Sequence, residues 1–467
     1  MNRALRTIER YKMFGPGMRL GVAVSGGLDS TCLLHLLREL APRWNLHLSV
    51  VHIEHGIRGD VSRADAEFVR DMAARFGLYF HLCEAHVAST GDNLEQAARR
   101  ARQNFFQALI SAGTLDRIAT GHTRSDQAET VMYRLLRGAG LSGLRGVLPV
   151  TNEGVVRPFL DVDRAEIEAW MRERGIEWRE DETNEQRTFA RNRLRHDILP
   201  LLREAFNPHL DSGLAQLAEL ARDEEHYWNG LLPPVVNKAG AVFWRAEDLA
   251  AAHPAMARRT VRRIIENVRG DLRQIDFSHV EAILDMARSE LGSGRVQLPG
   301  LDIFRSFDWL RVAPAGFDSG RTRDFSFPIS VPGSASLPGD AGLVELELMN
   351  PGEKPECHDK VRSELDWKRL TFFAKPDAAG QYGAASVLLE LRNWRPGDRY
   401  RPAGESRERK IKDFFQEARI PLWDRRDWPV LVLGGRIVWA RRFGPATEFA
   451  ALNADCKRVA IHEEPGH

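Results

Sequence analysis

The chain has 467 residues, 43% of them hydrophobic and 28% charged, with a formal net charge of +1. At roughly 150 residues per domain that length suggests about three domains, and the composition excludes a largely disordered chain. No apolar run approaches the roughly 18 residues of a membrane helix, the opening MNRALRTIERYKMF is too charged for a secretory signal, and Cys32, Cys83, Cys357 and Cys456 form no CxxC pair. A membrane protein, a disulfide scaffold and a zinc knuckle therefore fall away, and a cytosolic location is expected.

Arg19 to Val24 (RLGVAV) is a short apolar run, followed by Ser25-Gly26-Gly27 and an apolar helical pattern through Leu40. This predicts a strand, a tight turn and a helix. Leu46 to Ile53, Leu78 to Cys83 and Arg117 to Thr120 predict further strands, with helices over Arg63 to Phe76, Asn93 to Ala112 and Ser125 to Leu136. The alternation implies a parallel sheet covered on both faces, whose ligands bind beyond the carboxyl ends of its strands. The glycine turn, His52 to Arg58 and Gly121 to Asp126 all fall at such ends, so three segments converge on one crevice.

A helical tail, Arg164 to Arg203, closes a first domain over residues 1–205. Residues 206–313 predict a separate helical unit, with LAQLAELARDEEHYW and HPAMARRTVRRIIENV as its clearest pieces. Residues 314–370 are rich in Gly, Pro and Ser and predict a linker with a β-rich connector. Residues 371–467 carry short strands (SVLLEL, PVLVLGGRIVWA) around one charged helix, Lys410 to Ala418. The expected class is α/β: an N-terminal parallel-sheet domain, a helical domain, and a small α+β C-terminal domain.

The small net charge hides an asymmetry. Leu391 to Arg442 holds 14 Lys or Arg against 7 Asp or Glu, the footprint of a surface that meets a polyanion. Trp394, Tyr400, Phe414 and Phe415 are interleaved with these charges, a composition suited to a nucleic acid backbone. The reading here is aromatics mostly packed, charges on RNA.

Ser25-Gly26-Gly27-Leu28-Asp29-Ser30 carries the first chemistry. Glycines let the backbone approach a ligand, successive N–H groups at a helix start form an anion nest, and phosphate oxygens are the natural occupant. Asp29 is placed to hold Mg²⁺ against such phosphates. The loop lacks the lysine of GxxxxGK[ST], so it is not the γ-phosphate cradle of kinases and GTPases. Asp126 and Glu129, at i and i+3, share a helical face at the carboxyl end of a strand, where carboxylates suit a metal or acid–base role.

The SGGLDS string resembles the pyrophosphate-binding loop of the PP-loop ATPases, which cleave ATP between the α- and β-phosphates. His52-Ile53-Glu54-His55-Gly56-Ile57-Arg58 and Gly121-His122-Thr123-Arg124-Ser125-Asp126-Gln127-Ala128-Glu129-Thr130, continuing to Arg137-Gly138-Ala139-Gly140, are similar to segments of the tRNA(Ile)-lysidine synthetases. So are Glu95 to Arg99 with Arg102, Arg157-Pro158, Glu180-Asp181 with Asn184, and Arg191-Asn192 with Arg195. Near the C-terminus, Arg395-Pro396-Gly397-Asp398-Arg399 and Lys410-Ile411-Lys412-Asp413-Phe414-Phe415 resemble that family's RPGDR and KxKDFF pair. The chain departs from the pattern at Ser125, where the family commonly has aspartate, and at Gln103, where it often has tyrosine.

The resemblance implies an adenine nucleotide alpha hydrolase-like fold and one reaction: ATP-dependent joining of free L-lysine to C2 of the wobble cytidine in a tRNA(Ile) bearing a CAU anticodon. ATP and Mg²⁺ are the implied cofactors, and a homodimer is compatible with it. It implies ATP binding by Ser25 to Ser30, His52, His55, Gly121 and His122, with adenine stacking near the histidines. It also implies metal binding by Asp29 and Asp126, catalysis by Asp29, Arg102, Asp126 and Glu129, and RNA contacts by Arg191, Arg195, Arg395, Arg399, Lys410 and Lys412. The nearest rival is a tRNA thiolase of the same superfamily, which needs paired cysteines that the scattered Cys32, Cys83, Cys357 and Cys456 do not supply. A rival from another class is a catalytically silent, ATP-gated tRNA-binding protein, against which the intact SGGLDS, Asp126 and Glu129 stand.

Overall fold

The computed structural model describes residues 1–54, 60–85, 94–179, 190–317, 324–338, 342–353, 363–374, 387–453 and 455–464, with the backbone alone for 60–62, 94–96 and 190–191. His55, Glu180-Asp181 and Asn184 lie outside the described residues, as does the side chain of Arg191. The chain divides into two units, Met1–Leu231 and Leu232–His467.

The first unit runs α1 (Asn2–Arg10), β1 (Arg19–Ala23), α2 (Leu28–Trp44), β2 (His47–Glu54), α3 (Asp60–Arg75), β3 (Tyr79–Glu84), α4 (Leu94–Ser111), β4 (Arg117–Ala119), α5 (Arg124–Leu136), β5 (Val155–Val156) and α6 (Arg164–Glu173). The parallel sheet has the order β3-β2-β1-β4-β5. Alternate residues explain its two covered faces. Leu20, Val22 and Val50 join Leu33, Leu37 and Phe159 in one core, while Val51 and Ile118 join Phe106 and Leu115 in the other. Gly21 interrupts the apolar run of β1 for a packing reason, since a Cβ there would stand 2.6 Å from Leu115 and 2.8 Å from Val51. After β3 the chain crosses to the far side of β1, so the strand order reverses between β1 and β4. Ligand crevices form at such a switch point.

A helical tail follows: α7 (Ala190–Arg193), a π turn over Leu194–Ile198, α8 (Leu199–Ala205) and α9 (Leu210–Leu231). The domain boundary expected at residue 205 falls later, because Leu214, Ala218 and Ala221 of α9 are buried with Ala128 and Val131 of α5. No described helix is long and apolar enough to cross a membrane.

The expected helical unit over 206–313 is corrected in the second unit. Strands β6 (Asn237–Lys238) and β7 (Ala241–Arg245) precede α10 (Ala246–Ala251), α11 (Pro254–Arg269) and α12 (Phe277–Arg288), and β8 (Ser293–Leu298), β9 (Leu301–Ser306) and β10 (Trp309–Pro314) complete an antiparallel sheet, β6-β7-β10-β9-β8. The helices cover one face, where Val261, Ile264 and Ile283 meet Val242, Ile303 and Leu310. Each strand has six residues or fewer, too short to compete with the long period of α11 in a pattern reading.

The expected linker over 314–370 is likewise part of a domain. Its strands β11 (Ser326–Val331), β12 (Gly333–Ser336), β13 (Leu343–Met349) and β14 (Ser363–Asp366), with α13 (Trp367–Phe373), precede β15 (Val387–Asn393), β16 (Arg399–Tyr400), β17 (Arg409–Lys410), α14 (Ile411–Glu417), α15 (Leu422–Arg425), β18 (Pro429–Leu433), β19 (Arg436–Ala440), β20 (Gly444–Pro445) and β21 (Arg458–Glu464). They form two sheets, β11-β15-β18-β19-β20 and β12-β13-β21-β14, which share one core. Pairing of early strands with strands a hundred residues later is invisible to local composition.

Candidate active site

The loop between β1 and α2 is built for close approach. Gly26 has φ +94°, a left-handed conformation that glycine adopts without strain, and Gly27 is the N-cap of α2. Ser30 ties the loop together. Its Oγ accepts from Ser25 N at 3.1 Å, lies 3.0 Å from Ser25 Oγ, and donates to Gly27 O at 3.1 Å. Leu28 is buried below. From the other side Arg179 N donates to Gly26 O at 3.0 Å, and the Arg179 side chain pairs with Asp65 at 2.7 Å. Nothing in the sequence marked Arg179 for this task.

Gly121 ends β4 against the same loop. A Cβ on it would lie 3.1 Å from Asp29 C and Ser30 N, and this contact is with backbone that cannot give way. The glycine therefore sets how closely the β4–α5 turn approaches the start of α2. His122 sits beside it with Nδ1 2.9 Å from Thr120 Oγ1. His52 departs from expectation. It is 4% exposed, its Nδ1–H donates to Val24 O at 2.7 Å, and its ring stacks on Phe80. Burial lowers its pKa and keeps it neutral. A ring so enclosed anchors the strand end below the loop.

The carboxylates converge. Thr123 caps α5, and Asp126 at N3 accepts from Thr123 N at 2.8 Å and Thr123 Oγ1 at 3.0 Å through Oδ2. Its Oδ1 takes Arg195 Nη2 at 3.1 Å. Arg195 Nε reaches Glu129 Oε1 at 2.5 Å, and Glu129 is buried. Burial opposes the Arg195 charge, but Glu129 and Asp126 outweigh it and raise its pKa. Arg195, expected on RNA, is thus turned into the crevice. A helical arginine next to Asn192 gave no sign of that direction.

Asp29 completes the group from the first turn of α2. Its Oδ2 stands 3.9 Å from Arg164 Nη1, and its Oδ1 is buried with no hydrogen-bond partner. Burial pushes its pKa up to about 6, with Arg164 pulling it down and Asp126 pushing it up. A buried, orphaned carboxylate oxygen is costly unless something supplies a partner, and Mg²⁺ on phosphate oxygens fits that place. Mg²⁺ needs one or two carboxylates plus phosphates and waters rather than a protein cage. Asp29 is the better ligand of the pair, because Asp126 already serves as cap and ion-pair partner. Arg102 stands on the exposed side of α4.

In the second unit the RPGDR and KxKDFF segments are physically joined. Arg399 and Tyr400 pair antiparallel with Lys410 and Arg409. Asp398 accepts from both Nη of buried Arg392, at 2.8 and 2.9 Å, and from Arg395 N at 2.7 Å. Phe414 and Phe415 are buried in the core, and Lys410 and Lys412 are exposed. Arg395 and Arg399 are exposed, Arg395 4.0 Å from Glu390 and Arg399 donating its Nε to Glu408 at 3.4 Å.

Residues 3–202 match a family model described as a PP-loop domain, 245–311 one described as the TilS substrate binding domain, and 389–461 one described as the TilS substrate C-terminal domain. The chain is similar to the tRNA(Ile)-lysidine synthase of Solibacter usitatus, with 49% identity over 94% of this chain and 96% of that one. It is 36% identical to that of Symbiobacterium thermophilum over 100% of this chain and 98% of the relative, and 34% identical to that of Geobacter sulfurreducens over 97% and 94%. Together with a phosphate-type loop and a carboxylate group at the switch point of a parallel sheet, these matches show that the chain belongs to the tRNA(Ile)-lysidine synthase family, a family of ligases with a PP-loop domain.

Proposed function

We propose that the protein joins free L-lysine to C2 of the wobble cytidine in the CAU anticodon of tRNA(Ile), consuming ATP. The observation that carries this reading is the buried, partnerless Oδ1 of Asp29 beside the Ser25–Ser30 nest, in a chain whose named relatives match it almost end to end.

The base's C2 oxygen attacks the α-phosphorus of ATP, the bond to the β-phosphate breaks, and pyrophosphate leaves. The Gly26–Gly27 backbone and the exposed Ser25 hydroxyl bind that leaving group at the start of α2. Asp29, with Asp126 behind it, would hold Mg²⁺, which would supply neutralisation of phosphate charge. The oxygen on C2 is now part of an AMP leaving group. The lysine ε-amine attacks C2 in its neutral form, the C2–O bond breaks, and AMP departs. Glu129, the carboxylate of the group not assigned to the metal, accepts the amine's proton. Arg102 and Arg164 offset phosphate charge from the rim. Lys410, Lys412, Arg395 and Arg399 hold the RNA backbone from the second unit without reading bases.

Incubation with ATP, Mg²⁺, labelled lysine and total bacterial tRNA tests the reading. Label in one tRNA species, with AMP and pyrophosphate formed in equal amounts, is the expected result. Pyrophosphate release without label in RNA would point to a different acceptor chemistry, and no release at all would point to a silent binding protein.

A further inference from the structure

Four arginines of the first unit, Arg99, Arg134, Arg145 and Arg157, act on one another, and the side-chain bonds of the last three go to backbone carbonyls. Arg134 donates to Gly143 O at 2.8 Å and Gly146 O at 2.9 Å, Arg145 to Ser142 O at 2.7 Å, and Arg157 to Leu148 O at 2.6 Å. Arg99 is exposed on α4. Their described bonds all end on backbone carbonyls, which leave the positive charge uncompensated, and the Arg157 Nε is buried without a partner. Arg134 and Arg157 are pushed down in pKa first by burial and then by their arginine neighbours, Arg145 and Arg99 for the former and Arg99 for the latter, with Glu153 opposing at Arg157.

This cluster backs a cleft. A volume of about 270 Å³ lies between the end of α1, the segment 145–150 and the last turns of α9, lined by Tyr11, Arg145, Pro149, Arg222, Glu225 and His226 among others. Arg222 fixes its wall by donating to Arg145 O at 3.1 Å, with Tyr11 Oη 3.5 Å from its Nη2. The carbonyl of Leu148, which also lines the cleft, is the acceptor for Arg157. None of these residues belongs to the Asp29–Asp126–Glu129–Arg195 group.

Like charges held together in a partly buried place lower stability unless a ligand of opposite charge uses them. A lone phosphate would need only the arginines. The adjoining cleft, with an apolar floor at Leu148, Pro149 and Val150, a phenol ring and polar edges at Glu225 and His226, is close to the lower end of the roughly 300 to 1,000 Å³ typical of small-ligand sites. Its chemistry matches a splayed-out base. We infer that this cleft receives one unstacked nucleotide of the RNA substrate, with the flanking phosphodiesters lying on Arg145 and Arg99. The inference rests on the reading of RNA as substrate and adds where the first unit grips it.

The test uses the full-length protein, tRNA and ATP. Arg99→Gln with Arg145→Gln should weaken tRNA binding and flatten its salt dependence by roughly 0.7 to 0.9 log units per lost contact. ATP affinity should be unchanged, and the melting temperature should hold or rise because repulsion is relieved. Arg99→Lys with Arg145→Lys should restore most of the affinity, a rescue that a packing role would not give. His226→Glu, which places a second acid in the cleft, should weaken tRNA binding in the same way. If the wild type binds tRNA and the Gln pair binds it with equal affinity and slope, the site is refuted while the RNA reading stands. If the Gln pair instead raises the KM for ATP alone, the arginines serve the nucleotide's phosphates and the inference is wrong. A wild type with no tRNA affinity would refute both.

Discussion

Replacing Asp29 by asparagine separates the electrostatic and catalytic consequences of one carboxylate. Its folded pKa is about 6 against an ordinary aspartate value of 3.8, a rise caused mainly by burial. The sign follows from linkage: the folded state binds the proton more tightly than the unfolded chain, so the shift destabilises the protein as pH rises through about 4 to 6 and has its full effect above 6. About two pKa units correspond to roughly 3 kcal/mol, an upper figure because water and ions relax the site. Asparagine mimics the neutral carboxyl. Asp29→Asn should therefore melt with the wild type at pH 4 and several degrees above it at pH 8, at about 2 to 4 °C per kcal/mol for a unit of this size. Mg²⁺ with pyrophosphate should raise the wild-type melting temperature and barely move the variant's, while tRNA-dependent pyrophosphate release should fall by about 100-fold or more. The assay is calorimetry at a series of pH values with and without those ligands, beside a pyrophosphate-release measurement. A variant that melts with the wild type at pH 8, or that keeps its turnover, would show that Asp29 is neither strained nor a ligand.

Gly121→Ala should lower stability by about 1 to 3 kcal/mol and weaken ATP binding, since its Cβ meets the Asp29–Ser30 backbone at 3.1 Å; thermal melts and nucleotide titration check it. Arg195→Gln strands the buried Glu129 carboxylate and should reduce stability by about 3 to 5 kcal/mol. Adding Glu129→Gln should restore the melting temperature but not pyrophosphate release, and restoration of both would deny this pair a part in the chemistry. Lys410→Ala with Lys412→Ala should weaken every tRNA about equally, raise the KM for tRNA and reduce the salt slope by roughly 0.7 to 0.9 per contact. If tRNA affinity and slope are kept while turnover is lost, these lysines act on the reaction itself.

The first unit was legible because its signals are local. A strand, a glycine turn and a helix sit within the 26 residues from Arg19 to Trp44, and each later strand brings its own loop to the same edge of the sheet. The motif residues Asp29, Gly121, Asp126 and Glu129 do meet there. What the sequence could not show is direction. His52 sits on a strand whose neighbours alternate between two cores, and nothing in HIEH tells which way its ring turns. Arg195 lies on a helix that a pattern reading places on the surface, yet buried Glu129 and half-buried Asp126 draw it inward. Arg164 and Arg179 enter the site through chain reversals whose geometry no short window contains. In the second unit the misses are of range: β13 pairs with β21 and β11 with β15, so Gly- and Ser-rich stretches that resemble linker locally are strands held from far away.

Ser125 shows how such a site accommodates a departure from its family's usual pair of aspartates. It occupies N2 of α5, where an acid would gain from the helix dipole, but capping is already complete through Thr123 and Asp126. The same position is one residue from Asp126, which is itself among the charges raising the pKa of Asp29. An added carboxylate would push that value higher still, toward a proton on Asp29 at neutral pH and away from the ionised form that a metal requires. With serine at 125, two cations, Arg164 and Arg195, act on Asp29 against one named carboxylate. The local charge balance thus favours an ionised Asp29 at neutral pH, and the serine is consistent with a working phosphate site.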